Sequence, residues 1–228
     1  MPKRALFLFT LLAIAHLASE YFNYQPGIYV TKPLLLPALA FIYHRQLQRF
    51  RNDFERWFLA GLLLSWAGDV LLMFALSSTG TGFFMGGLAS FLLAHLCYSV
   101  AFTQHSPRGI RWQPGAALLF YAIALALVWY LWPVLDNVLR AAISAYALAI
   151  SSMAVLAHGM FQKLTYRPAT YLLLGAICFI FSDSVIALDK FQSTLSIWMP
   201  RMIIMSSYIL AQLLLVNGAI LASQEDRS

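Results

Sequence analysis

Apolar residues along this chain neither alternate nor keep to one narrow helical face. They fill runs about as long as a bilayer is thick. Eight runs stand out, with approximate cores at residues 5–22, 29–44, 57–76, 83–103, 114–132, 138–157, 169–189 and 200–222. A helix needs about 20 mainly apolar residues to cross the hydrocarbon. Backbone groups inside a membrane must find internal partners, which leaves helices or a closed barrel. The runs are continuous rather than short and alternating, and that excludes the barrel. The pattern therefore predicts an all-α, polytopic bundle of eight transmembrane helices, forming a single integral membrane domain over residues 1–228. Ser77-Ser-Thr-Gly-Thr-Gly82, Ser106-Pro-Arg-Gly109, Trp132-Pro133 and Tyr166-Arg-Pro168 punctuate the runs as turns and loops.

Composition agrees with the pattern. The chain is 61% hydrophobic and 11% charged, with a mean hydropathy of +0.73, whereas soluble domains carry about 25% charged residues. The net charge of +6 is placed in loops and implies no nucleic-acid partner. With alternating spans, eleven of the fifteen Lys and Arg residues fall on the side of the N-terminus and four on the other. The positive-inside rule then makes the N- and C-termini cytoplasmic. The first span, preceded by Lys3-Arg4, has some features of a signal peptide. Its apolar run continues through His16 to Phe22, which predicts a retained anchor instead. The compact loops point to a bacterial inner membrane. Cys97 and Cys178 are both mid-span with no CxxC spacing, and read as small core hydrophobes.

Two aspartates interrupt the apolar runs. Asp69 lies in Gly61-Leu-Leu-Leu-Ser-Trp-Ala-Gly-Asp-Val-Leu-Leu-Met-Phe74, and Asp183 in Phe181-Ser-Asp-Ser-Val-Ile-Ala187. A carboxyl at membrane depth costs roughly 2.5–3.5 kcal/mol on insertion scales and usually marks a site. Their neighbours Ser65 and Ser182 predict one shared polar pocket. Asp69 lies roughly 18 Å into its span at the helical rise of about 1.5 Å per residue, past the midplane. Glu20, Lys32, Asp189 and Lys190 lie toward the same outer side.

Other polar residues are weighed against plain structural roles. Lys32 opens span two in Thr31-Lys-Pro-Leu-Leu-Leu-Pro37, with Pro33 expected in the first turn and Pro37 expected to kink the helix. It pairs with a pocket carboxylate or a phosphate, or simply snorkels. His95 and Tyr98 share a face of span four, and Tyr208 and Gln212 share one of span eight. Interhelical hydrogen bonding explains these as well as a site does. Asp183 and Lys190 are two turns apart on one face of span seven. No HxxxH, HExxH or GxSxG is present, so neither a metal site nor a serine nucleophile is expected. Spans three and seven each carry Ser then Asp at equivalent places in two four-span halves, a faint sign of parallel repeats.

At these residues the sequence resembles the YhhN family, whose animal members are lysoplasmalogenases. The resemblance rests on Lys32-Pro33, on Leu64-Ser-x-x-Gly-Asp69 with Leu71, and on Gly87-Leu-x-x-Phe91-x-x-x-His95-x-x-Tyr98. It continues through Gly175-Ala176, Phe181-Ser-Asp183, Lys190-Phe191, Tyr208 and Gln212. It implies an eight-helix ether hydrolase that takes a lysophospholipid from the bilayer and cleaves its vinyl ether to a fatty aldehyde and glycerophosphoethanolamine or glycerophosphocholine. No cofactor, metal or obligate protein partner is implied. Vinyl-ether hydrolysis needs a strong acid and a negative group near an oxocarbenium ion, roles that two carboxyls can divide. Asp69 and Asp183 are expected to be that catalytic pair, supported by Lys32, Ser65, His95, Tyr98, Ser182, Lys190, Tyr208 and Gln212. The rival reading is a proton-coupled carrier built from the same intramembrane acids. A third is a structural protein whose acids make helix contacts.

Overall fold

A computed structural model describes residues 3–75, 81–105, 113–192 and 197–227. The turn expected at Ser77–Gly82 and the loop at Ser106–Gly109 fall largely outside them, as do the loop basics Arg108 and Arg111. The helices are α1 (Lys3–Tyr21), α2 (Gln25–Leu47), α3 (Asp53–Ala75), α4 (Thr81–Gln104), α5 (Pro114–Leu131), α6 (Asn137–Gly159), α7 (Tyr166–Phe191) and α8 (Pro200–Glu225). Single 3₁₀ turns follow α5 and α6. All eight are long and apolar enough to cross a membrane, and the protein is an integral, multi-pass membrane protein. Pro26, Pro114 and Pro200 each stand in a first turn, where the missing N–H is no loss. The Asp136 side chain caps α6 by accepting from the Leu139 amide at 2.8 Å.

α2 begins four residues earlier than the apolar run indicated, and this changes the reading of its prolines. Pro33 is interior rather than in the first turn. Pro37 has no N–H to offer the Pro33 carbonyl four residues back. The Trp66 indole of α3 donates to that carbonyl at 3.0 Å. A polar group freed inside the bilayer is thus satisfied by a neighbouring helix.

The tightest packed pairs are α3 with α4 and α7 with α8, equivalent positions in two four-helix halves. Glycines allow the approach. A Cβ on Gly68 would lie 2.6 Å from the Phe91 ring, and one on Gly175 would lie 2.7 Å from Leu215 and 3.0 Å from the Ala211 carbonyl. Small polar side chains tie helices through backbone carbonyls, as Ser90 does to Leu64 at 2.7 Å and Ser151 to Phe120 at 3.2 Å.

The two ends of the bundle are fastened differently. At the end where α2, α4, α6 and α8 finish, Arg227 donates to the Leu47 and Arg49 carbonyls and pairs with Glu55 at 2.7 Å. Glu55 is almost wholly buried and also accepts from the Arg51 amide. At the opposite end, Arg201 of α8 donates to Asn23 of the α1–α2 turn at 3.3 Å. Both candidate aspartates lie toward this second end.

Candidate active site

Asp183 faces inward from α7, its side chain 12% exposed. Tyr146 of α6 donates its hydroxyl to Asp183 Oδ2. His95 Nε2 of α4 stands 4.0 Å from the same oxygen. The imidazole is fully buried, edge-on to the rings of Tyr146 and Phe179, and neither ring nitrogen has a hydrogen-bond partner among the described residues. Both contacts to the carboxyl fall on Oδ2, so Oδ1 is left to whatever enters beside it. A buried imidazole without a partner is costly, and here it sits next to the one acid it can reach.

Asp69 belongs to a second network. Tyr208 of α8 donates to Asp69 Oδ2 at 2.7 Å. Gln212 lies one turn on from Tyr208, with its Nε2 3.5 Å from that hydroxyl, and its Oε1 accepts from Tyr98 at 3.1 Å. Ser65 is buried beside Tyr98, with no well-aligned hydrogen bond of its own. This chain of polar side chains joins α3, α4 and α8 through the middle of the bundle.

The acids do not share one open chamber. A cavity of about 790 Å³, part of it open to the surface, is lined by α3 to α7 and is almost wholly apolar. Asp183 and Tyr146 stand on its wall with Leu88, Phe91, Ile123 and Phe191. α4 and α5 both pack on α6 but barely on each other, and half-exposed Ile123 lines the cavity, which therefore has a lipid-facing side. Asp69 lines neither this cavity nor the polar one described below. The Phe91 ring, packed on Gly68 and edge-on to Tyr208 and Phe179, lies between. The single polar pocket expected from the sequence is thus two networks divided by an aromatic ring. The reason is that most polar atoms there face one another, leaving apolar side chains to form the wall.

The remaining expected residues distribute as follows. Lys32 lines a separate polar cavity at the end where Arg201 lies, with Glu20, Gln25, Tyr29 and Arg201. Ser182 donates to the Ile204 carbonyl at 3.1 Å and is a helix tie rather than part of either network. Lys190 forms no ion pair with Asp183. Its ammonium sits over the Phe84 ring, 5.0 Å from the centroid, because two turns of helix carry it away from Asp183 toward the end of α7. His95 and Tyr98, paired by spacing, serve different aspartates. Tyr146 went unnoticed in the sequence, since an aromatic in an apolar span carries no signal of its own. Among the described residues no cluster of three potential metal ligands occurs.

A profile of the YhhN family matches residues 27–219. The chain belongs to the YhhN family. It is 34% identical over 173 residues to a protein of Mycobacterium bovis named lysoplasmalogenase, a match covering 73% of this chain and 60% of that one. It is 35% identical over 165 residues to lysoplasmalogenase TMEM86B of Rattus norvegicus, covering 72% and 62%. To lysoplasmalogenase TMEM86A of Bos taurus it is 30% identical over 166 residues, covering 70% and 63%. These YhhN relatives are longer, and the chain spans about 60% of their length. No solved structure matches.

Proposed function

We propose that this YhhN protein is a lysoplasmalogenase, hydrolysing the vinyl ether of a single-chain alkenyl phospholipid, with Asp183 as the acid. One observation carries the reading. A carboxyl stands on the wall of an apolar, lipid-facing cavity, with one oxygen accepting from Tyr146 and lying 4.0 Å from His95 Nε2. The names of the YhhN relatives support the choice of substrate. The relatives compared carry that enzyme name, so the carrier reading gains no support.

In this mechanism the alkenyl chain enters sideways from the bilayer and its vinyl ether comes to rest at Asp183. The carboxylic acid gives its proton to the alkenyl carbon distal to the ether oxygen. The C=C electron pair forms the new C–H bond and leaves an oxocarbenium ion. Water adds to the oxocarbenium carbon, the one bonded to the ether oxygen, and returns a proton to the Asp183 carboxylate. The hemiacetal then loses its hydroxyl proton as its bond to the glycerol oxygen breaks, and that oxygen takes up a proton. The products are a fatty aldehyde and the glycerophospho-headgroup. Tyr146 and His95 fix the orientation of the Asp183 carboxyl. Asp69, held by Tyr208 with Gln212 behind it, supplies negative charge from the far side of the Phe91 ring, the division of labour by which carboxyl pairs handle oxocarbenium chemistry. The enzyme operates in a bacterial inner membrane with both termini on the cytoplasmic side, the orientation set by the Lys and Arg bias.

The test is aldehyde release from 1-alkenyl-2-lyso-glycerophosphoethanolamine by purified protein in detergent, with Asp69→Asn and Asp183→Asn alongside. Release by the wild type and its loss in folded Asp183→Asn is the expected result. Near-normal turnover in both variants overturns the mechanism. No release from folded wild type overturns the function.

A further inference from the structure

The outer polar cavity is separate from the cavity that holds Asp183, and its chemistry is different. α3 borders both, Leu72 lining one and Met73 the other. Lys32 and Arg201 bring two cations to a volume of about 600 Å³, with Gln25 and Tyr29 at its edge. Glu20 is the carboxylate there, and its side chain is only 6% exposed. Glu20 Oε1 lies 3.8 Å from His16 Nε2, while the buried Oε2 has no hydrogen-bond partner. His16 in turn is fixed by Thr31, whose hydroxyl lies 2.9 Å from Nδ1. Both cations share this cavity with Glu20, yet neither approaches within ion-pair distance of it. The three charges are thus spaced around an empty volume rather than collapsed into a salt bridge.

A buried carboxylate oxygen without a donor is costly. Lys32 and Arg201 also present two cations to the cavity against one lining carboxylate. A ligand carrying both an anionic phosphodiester and an N–H-bearing cation satisfies each of these groups. We propose that this cavity is a phosphoethanolamine subsite, with Lys32 and Arg201 taking the phosphodiester and Glu20 the primary ammonium. A trimethylammonium group keeps the positive charge but has no N–H for Glu20 Oε2. The site therefore discriminates ethanolamine from choline by a hydrogen bond, the kind of contact that rejects an analogue lacking the donor. The ligand is either the headgroup of the lipid substrate or free glycerophosphoethanolamine. Only the first source rests on the lysoplasmalogenase reading.

The experiment has two arms. Calorimetric titration of the purified protein in detergent compares glycerophosphoethanolamine, glycerophosphocholine and glycerol 3-phosphate. Aldehyde release compares the ethanolamine and choline forms of the alkenyl lysolipid. Tighter binding of the ethanolamine compound by tenfold or more is expected, or a similar preference in kcat/KM for the lipid. Glu20→Gln removes the preference while phosphate binding persists, and Lys32→Met or Arg201→Gln weakens all the ligands together. A preference seen only with the lipids assigns the site to the lipid headgroup. Binding of free glycerophosphoethanolamine without any aldehyde release keeps the subsite and overturns the hydrolase reading. Aldehyde release indifferent to headgroup, with no preference in titration, overturns the subsite and leaves the hydrolase. A preference that survives unchanged in both Glu20→Gln and Lys32→Met also overturns it.

Discussion

Tyr146→Phe removes one oxygen and little else. The ring that packs edge-on against His95, 5.2 Å between centroids, is retained. What disappears is the hydroxyl that donates to Asp183 Oδ2. A hydrogen bond to a charged acceptor contributes about 1.5–3 kcal/mol, and each 1.36 kcal/mol of barrier corresponds to about a tenfold change in rate. Tyr146→Phe should therefore lower kcat by about 10- to 150-fold if the bond fixes the carboxyl for proton transfer. KM should change little, because the cavity wall keeps its shape. The assay is aldehyde release, with thermal unfolding in detergent to confirm the fold. In the Asp183→Asn background the same substitution should have almost no further effect, since residues acting as a unit are not additive. Wild-type turnover by Tyr146→Phe, or a full additional loss in the Asp183→Asn background, would refute the assignment of Asp183 and Tyr146 to one catalytic unit.

Three further outcomes follow from the packing. Gly68→Ala places a Cβ 2.6 Å from the Phe91 ring, and overpacking of this kind costs about 1–3 kcal/mol, so its Tm in detergent should fall and its aldehyde release with it. Ala147→Phe projects a ring into the apolar cavity and should slow hydrolysis of long-chain alkenyl lipids more than short-chain ones; equal loss for both would mean the chain lies elsewhere. Arg227→Ala strands Glu55, which is 1% exposed, and breaking such a buried pair costs about 3–5 kcal/mol. Unfolding should shift accordingly, and adding Glu55→Gln should recover part of the loss.

The bundle was legible in the sequence because hydrocarbon leaves the backbone so few options. Runs of helix length in which Leu, Ala and Phe dominate admit one secondary structure, and all eight runs became helices. Boundaries were less exact where proline was involved. The apolar run of α2 suggested a start near residue 29, but the helix begins at Gln25 and accommodates both interior prolines. It does so because Trp66, distant in sequence, supplies a donor to the freed carbonyl. No local pattern encodes that partner.

Asp69 and Asp183 announced themselves by type and depth alone, since an ionisable group in an apolar run has few reasons to be there. So did the pairing of Tyr208 with Gln212, which helical spacing places on one face. The partition of the site came only from tertiary structure. Which aspartate meets the cavity depends on where the Phe91 ring packs, and that depends on Gly68 allowing α3 and α4 to approach. Tyr146 as the partner of Asp183, Ser182 as a helix tie, and Lys190 over Phe84 rather than paired with Asp183 follow from how α4, α6, α7 and α8 meet. Sequence periodicity fixes the face a side chain takes on its own helix. It does not fix which neighbour that face meets, because inter-helix contacts are set by the shapes of all the packed helices together.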